Sequence, residues 1–251
     1  MKRNMNMKKT LKNTLMMALS IAALSSCTKT GDGRGRVTFS LEELTDIVEV
    51  TKSSVSDYTT LPSASDFTVT IKSGTTTVWT GLLSAYDAST SYNAGNYTAE
   101  ASYGAEGEEG FDKPYFTGSK SFAIEGAGTT SVSIPVKLGN SILKVSCSDA
   151  FTTYFPEYSF TVTTGSNNVI SFPKGESRAA FIDAYKFTVA GTMTTQTGSS
   201  TSFSKEYTSG IEPATCYTLK FDVGNVGNVT ITITFNDTVE TVDLGSVELN
   251  S

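Results

Sequence analysis

The chain has 251 residues, with 19 Lys and Arg side chains against 25 Asp and Glu, and it contains no histidine. The formal net charge of −6 argues against nucleic-acid binding, because phosphates must be neutralised by basic side chains. The missing histidine removes the commonest general base and the commonest transition-metal ligand. We therefore expect a protein that is not an enzyme and uses no cofactor; the catalytic class left open is glycoside hydrolysis by two carboxylates.

The first 27 residues have the pattern of a bacterial lipoprotein leader. Residues 1–13 contain five Lys and Arg side chains and no acid, and an apolar run follows over residues 14–24. This run is shorter than the about 20 apolar residues that a membrane span needs, and it fits a secretory signal. The tetrapeptide Leu24-Ser25-Ser26-Cys27 resembles a lipobox, which implies a signal peptide over 1–26 and lipidation of Cys27.

Removal of the signal peptide makes the chain more acidic. It leaves 14 basic against 25 acidic side chains, a net charge of −11. Such a chain has no polybasic attraction to membrane lipids, so we expect the lipid anchor to hold it. We predict a location at the outer membrane, on the cell surface or the periplasmic face. The polar, glycine-rich residues that follow predict a segment over 27–36 made of the lipidated cysteine and a flexible linker.

Alternation of apolar and polar residues dominates the chain after the linker, which is typical of strands with one buried face. The intervening positions are mostly Thr, Ser and Lys, and clusters of Gly, Asn, Asp and Ser separate the runs. The runs are Val37/Phe39/Leu41, Phe67/Val69/Ile71, Tyr97/Ala99/Ala101, Val132/Ile134/Val136/Leu138, Tyr158/Phe160/Val162, Tyr185/Phe187/Val189, Tyr217/Leu219/Phe221/Val223 and Val229/Ile231/Ile233/Phe235.

A faint internal duplication predicts two units. The segment Phe67–Thr70 recurs as Phe160–Thr163, and residues 132–140 parallel residues 217–225. The pattern predicts an all-β fold with two tandem antiparallel β-sandwich domains, residues 37–139 and 140–251, each of about 100 residues. Pro135 lies inside the last strand of the first unit and indicates an edge or a bulge there.

Several segments carry a family resemblance. Gly95-Asn96-Tyr97 resembles the strand entry of transthyretin-like domains, in which a tyrosine ring enters the sandwich core. Together with residues 111–118, 121–124 and 138–141, it resembles an uncharacterised family of Bacteroidetes outer-membrane lipoproteins with tandem immunoglobulin-like or transthyretin-like sandwiches. The layout is more loosely similar to fimbrillins, the lipoprotein precursors of adhesive pili. The resemblance implies a structural or adhesion component, and the uncharacterised family has no established activity to carry over.

Aromatic side chains in the first unit form a candidate ligand platform. Aromatic rings stack on sugar faces, so this platform predicts an alternative function, a glycan-binding surface lipoprotein for nutrient capture. The competing interpretation is that these rings fill the sandwich core. The candidate residues are Trp79, Tyr86, Tyr115 and Phe116.

A glycine-rich acidic loop is a weak calcium candidate, because carboxylate oxygens are the ligands that Ca²⁺ prefers. A solvated loop is the commoner interpretation, and we predict no other metal site. The loop carboxylates are Glu106, Glu108, Glu109 and Asp112.

Arg34 and Arg36 precede the first predicted strand. In fimbrillins, cleavage after an arginine frees a groove that a neighbour's strand fills, so the resemblance implies candidate processing sites here and a protein partner bound by strand addition. The competing interpretation is a linker that contains two arginines.

A bridge between Cys147 and Cys216 is left open, and unpaired thiols are favoured because the two residues lie on unlike strand faces.

Overall fold

The structure, a computed structural model, describes residues 33–44, 46–47, 53–223, 230–235 and 238–243. The signal peptide and Cys27 lie outside these residues. Nearly all regular structure in the described ranges is β-strand, so the predicted all-β class is confirmed. Within the same ranges, no helix has the length and apolar character needed to cross a membrane.

The strands are short and rich in Thr, Val, Ile and aromatic residues, which pack well on a pleated surface. In chain order they are β1 (Arg34–Leu44), β2 (Asp46–Ile47), β3 (Ser53–Ser54), β4 (Thr68–Ser73), β5 (Thr76–Leu82), β6 (Ser91–Asn93), β7 (Gly95–Tyr103), β8 (Gly110–Phe111), β9 (Phe116–Ile124), β10 (Thr129–Leu138), β11 (Ser141–Cys147), β12 (Glu157–Thr164), β13 (Val169–Pro173), β14 (Ala180–Ile182), β15 (Phe187–Thr194), β16 (Ser200–Tyr207), β17 (Cys216–Val223), β18 (Thr230–Phe235) and β19 (Thr238–Asp243).

Helical structure is confined to short connections between the strands. Ser148 caps the single α-helix of the described residues, since its hydroxyl accepts a hydrogen bond from the amide of Phe151. The helical segments are α1 (Asp149–Tyr154) and three 3-10 helices over Val55–Asp57, Ala64–Asp66 and Leu83–Ala85.

Three main sheets organise the strands. Sheet I has the order β5-β4-β7-β9-β10-β1-β6 and is built from the first half of the chain. Sheet II has the order β19-β18-β17-β11-β14-β8, and sheet III has the order β13-β12-β15-β16. Strands β2 and β3 form a separate two-stranded ladder. Strand β8 comes from the first half of the chain but pairs with β14, so sheet II combines strands from both halves.

Most pairings are antiparallel, but two are parallel. Strand β1 pairs in parallel with β10, and β11 pairs in parallel with β17. Parallel neighbours cannot be joined by a hairpin, so each pair brings together segments that are far apart in sequence. Strand β1 also pairs antiparallel with β6 through Arg34–Arg36, so the last three residues of the predicted linker belong to this strand.

Two apolar cores lie on opposite faces of sheet II near its centre. Along β11, Ile142 belongs to the core under sheet I, whereas the next residue, Leu143, belongs to the core against sheet III. The same alternation separates Phe181 from Ile182 in β14 and Cys216 from Tyr217 in β17. Ala180, two residues before Ile182, lies in the same core as Ile182. Strands buried on both faces explain the continuous apolar sequence at these points.

The described residues all belong to one compact unit. The two cores follow the two halves of the sequence, while the central strands of sheet II contribute to both. The division into domains at residues 139 and 140 stays a prediction.

In the described part of the chain, Cys147 and Cys216 are not joined by a disulfide bond. The parallel register pairs Cys216 with Ile142 and Cys147 with Phe221, so the two cysteines lie at opposite ends of the β11–β17 ladder. Burial raises the pKa of the Cys147 thiol to about 11, against a smaller opposing effect of its hydrogen bond with Tyr158.

Candidate functional site

A groove of about 670 Å³ opens on sheet I, and we name it the Tyr115 groove. Four strands of the sheet, β4, β7, β9 and β10, supply side chains that alternate with core residues, such as Glu100 between the buried Ala99 and Ala101. The lining residues are Thr70, Glu100, Ala101, Ser102, Tyr115, Thr117, Gly118, Ser119, Pro135 and Lys137.

Tyr115 is held in place by the junction between the two halves of the chain. Its amide donates a hydrogen bond to Oδ1 of Asn140, and its carbonyl accepts one from the amide of Gly139 at 2.7 Å. The ring lies against Gly139, where an added Cβ would come within 2.8 Å of the ring carbon Cδ1. Asn140 is 1% exposed, so the anchor of Tyr115 is buried although the ring is partly exposed.

The backbones of Gly118 and Pro135 approach each other closely in the groove. A Cβ added at Gly118 would overlap the carbonyl oxygen of Pro135. Pro135 lies in an interior strand, where it faces Glu42 in the ladder with β1. The ladder between β9 and β10 is limited to two pairs, Thr117 with Lys137 and Phe116 with Leu138. The sequence predicted an edge or a bulge at Pro135; the structure places it in an interior strand, and the ladder with β9 ends beside it, which agrees with its missing amide hydrogen.

Hydroxyl groups and Glu100, which pairs with Lys72, line much of the rest of the groove. Lys72 Nζ lies 2.7 Å from a carboxylate oxygen of Glu100, and both side chains are partly exposed. The hydroxyls of Thr70 and Thr80 lie 2.9 Å apart. An aromatic ring beside hydroxyls and fixed charges can stack on an apolar ring face and exchange hydrogen bonds with a polar ligand.

The structure does not bring the four residues of the predicted platform together. Phe116 is 3% exposed and belongs to the core, so it is not available to a ligand. Trp79 and Tyr86 pack edge to face at 4.9 Å on the core side of sheet I, and Phe39 lies 5.0 Å from Tyr86. Tyr115 is the platform residue that reaches the groove.

The contacts of Tyr86 fit a role in packing. Its hydroxyl donates a hydrogen bond to the carbonyl of Val37 in β1 at 3.3 Å. Burial raises the pKa of this phenol well above its ordinary value, and the neighbouring Tyr92 adds to the increase. The interpretation that these rings fill the core is therefore the better one for Tyr86 and for its neighbour Trp79.

Three of the four carboxylates of the acidic loop, those of Glu108, Glu109 and Asp112, contact other residues of the protein. Glu108 pairs with Lys113 at 3.1 Å, and Asp112 lies 3.7 Å from Arg178. Glu106 is exposed. In the described part of the chain, no cluster of three or more Asp, Glu, Cys or His side chains is arranged to hold a metal ion. Calcium binding by the loop stays a prediction, and it would have to compete with these contacts.

Glu109 joins the two halves of the chain, which the sequence did not indicate. One carboxylate oxygen accepts a hydrogen bond from the amide of Asp183 at 2.8 Å. The other accepts from Asn168 Nδ2 at 2.8 Å and from the Thr164 hydroxyl at 2.5 Å. Burial raises the pKa of the Asp183 carboxyl, and the negative charges of Glu109 and Glu106 raise it further. Glu109 thus fixes the acidic loop beside β8.

Arg34 and Arg36 are exposed, but their backbone lies inside sheet I. The carbonyl of Arg34 accepts a hydrogen bond from the amide of Ala127 at 2.7 Å, and the amide of Arg36 donates to the carbonyl of Gly128 at 2.8 Å. The peptide bonds at which processing was predicted are therefore part of a strand.

Comparison of the sequence with protein-family models identifies a family of unknown function. The model of a domain of unknown function (DUF4493) matches residues 33–249, so this chain belongs to that family. Among curated proteins, none gives a significant match.

Three similar solved structures come from Bacteroides and Porphyromonas species. A candidate polysaccharide-binding protein from Bacteroides thetaiotaomicron is 10% identical, with a TM-score of 0.44 over 84% of this chain and 98% of the other. A candidate cell adhesion protein from Bacteroides uniformis is 12% identical, with a TM-score of 0.42 and coverages of 75% and 95%. The fimbrial anchor protein Mfa2 from Porphyromonas gingivalis is 11% identical, with a TM-score of 0.40 and coverages of 85% and 100%.

The close approach of β9 and β10 gives a stability prediction. Changing Gly118→Ala should lower the free energy of unfolding by about 1–3 kcal/mol, because the new methyl group overlaps the Pro135 carbonyl. Gly128→Ala is the matched control, since an added Cβ there meets nothing within 4 Å. Urea denaturation followed by fluorescence measures both variants. Equal stability of Gly118→Ala and wild type would contradict the packing described for the groove.

Proposed function

We propose that this chain is a lipid-anchored protein of the outer membrane with a structural or adhesion role, and that it is not an enzyme. The leader pattern and the lipobox ending at Cys27 support the anchor. The missing histidine supports the absence of catalysis. Partners are a membrane, through the lipid, and a second protein or a glycan.

The position of β1 is the observation that carries the structural role. This strand begins at Arg34, seven residues after Cys27, and lies between β10 and β6 in the interior of sheet I. It pairs with β10 over nine consecutive residues, and Val37 on this strand is fully buried. The segment nearest the proposed anchor is thus an integral part of the folded body.

This connection suits a protein that is held under tension. A force between the anchor at Cys27 and a ligand on the folded body would pass into β1 at its N-terminal end and act along the strand. All nine pairs with β10 would then share the load, because the strand must slide as a unit. A tether attached to an exposed edge or a loop would instead lose its contacts one by one.

Processing after Arg34 or Arg36 is the fimbria-like version of the proposal. Cleavage at either residue requires β1 to leave the sheet first, since the backbone of both residues is hydrogen-bonded to residues 127 and 128. Loss of β1 would leave a gap between β10 and β6, and a strand from another copy of the chain would restore the missing ladder.

Mass spectrometry of the native protein distinguishes these versions. The tension-bearing version predicts a mature N-terminus at an acylated Cys27, with residues 28–44 intact. A new N-terminus at Gly35 or Val37 would contradict the tension-bearing version and support the processed, polymerising version. A chain that retains residues 1–26 without any acyl group would contradict the anchor in both versions. A Cys27→Ser variant, expected in the soluble fraction, is the control for the assignment of the lipid.

Glycan binding at the Tyr115 groove is a second candidate function. It is favoured by the partly exposed Tyr115 ring, which lies beside several hydroxyl side chains and the Lys72–Glu100 ion pair. Sugars are recognised by such combinations of an aromatic face with hydrogen-bonding groups. This groove replaces the four-residue platform predicted from the sequence.

A glycan array tests this second function with two variants. Tyr115→Ala should abolish glycan binding, because it removes the stacking surface while the buried backbone anchor at Asn140 is kept. Tyr185→Ala, which removes a tyrosine that is 43% exposed near sheet III, should bind as the wild type does. Equal loss in both variants, or no glycan bound by the wild type, would contradict a binding role of the groove.

A further inference from the structure

A second cleft, of about 410 Å³, lies at the start of β1, and we name it the arginine cleft. Residues of β1, of β6 and of the connection into β10 surround it. The lining residues are Arg34, Gly35, Arg36, Ser91, Ala127, Gly128 and Thr129.

The sheet fixes both arginines on the same side of β1. Residues two apart in a strand point to the same face, so the side chains of Arg34 and Arg36 lie next to each other. Arg34 Nη2 donates a hydrogen bond to the carbonyl of Ser91 at 2.7 Å, which orients its guanidinium. Gly35 between them is buried, and an added Cβ would come within 2.8 Å of the Ile124 side chain. The strand is therefore packed tightly under the two arginines.

The chemistry of the cleft favours an anion. Only three arginines follow Cys27 in the sequence, and two of them, Arg34 and Arg36, line this cleft. The hydroxyls of Ser91 and Thr129 add two further donors, and the lining residues that the structure describes include no carboxylate. Asp87 interacts electrostatically with Arg36, and its carboxyl accepts hydrogen bonds from Ser89.

We propose that the arginine cleft binds a phosphate group. Guanidinium groups match phosphate oxygens with two parallel hydrogen bonds, and adjacent hydroxyls can donate to the remaining oxygens. The remainder of the mature chain is acidic, so a general attraction to anions does not account for the pair.

The phosphate of a lipid headgroup is the source that the geometry favours. Arg34 follows Cys27 by seven residues, a chain length that spans at most about 25 Å. An acylated Cys27 would therefore keep the cleft close to the membrane surface. The choice of source rests on the proposed lipid anchor, whereas phosphate binding by the cleft does not.

Experiments with the unacylated mature chain, carrying Cys27→Ser, test phosphate binding by the cleft separately from the lipid headgroup as its source. Inorganic phosphate is titrated first by calorimetry, against chloride at equal ionic strength, and vesicles of phosphatidylglycerol and phosphatidylcholine are tested by co-sedimentation. The variant Arg34→Gln with Arg36→Gln should bind phosphate at least about tenfold more weakly. The charge-matched control, Lys186→Gln with Lys220→Gln, removes two exposed lysines of the second half and should bind as the wild type does.

Each outcome decides one part of the proposal. Phosphate and vesicle binding that both depend on the arginines support the cleft and the headgroup source. Arginine-dependent binding of phosphate without vesicle binding supports the cleft and overturns the headgroup source. Absence of phosphate binding, or equal binding by the arginine variant, overturns the site. An Arg36→Lys variant, which keeps the charge but loses the planar fork, should bind with intermediate affinity and excludes a loss caused by misfolding.

Discussion

The parallel ladder between β1 and β10 is the contact that connects the N-terminal segment to everything else in the molecule. It runs over nine residue pairs, and it places Val37 in the core under sheet I. Because β1 and β10 are far apart in sequence, this ladder is a long-range contact between the N-terminal segment and the last strand of sheet I in chain order. The proposed anchor at Cys27 is therefore attached to the interior of a completed sheet.

Sheet II connects the two halves of the chain at their junction. Its strands β11, β14 and β17 bury one face against each core, and β8 adds a strand from the first half at the edge. Glu109 fixes that addition through three hydrogen bonds to the second half. The same junction positions Tyr115 through Asn140, so the candidate groove depends on contacts between the halves.

Alternation of apolar residues was sufficient to predict the strands and much of the core. The predicted inward residues Tyr97, Ala99 and Ala101 of β7 are buried. Tyr185 was predicted in the same way but is 43% exposed, because it precedes β15 and packs over Gly165. The alternation carries no information about which strands pair, so the two parallel ladders could not be predicted. The start of β1 was missed because the polar sequence around Gly35 resembles a linker.

The candidate sites were predicted less well than the fold. Aromatic residues alone do not distinguish a ligand platform from a core, and the structure assigns Phe116 to the core and Tyr115 to a groove. The groove and the arginine cleft both depend on residues brought together by long-range pairing. Near the groove, the sequence analysis had singled out Tyr115 for its ring and Pro135 for its missing amide hydrogen.

Hydrogen–deuterium exchange of the mature protein tests most directly whether β1 is an interior strand of sheet I. Amides in peptides that cover residues 34–44 should exchange as slowly as those of β10, because both strands open together in a ladder of nine pairs. Exchange of residues 34–44 at the rate of an unfolded segment, with β10 still protected, would contradict the account.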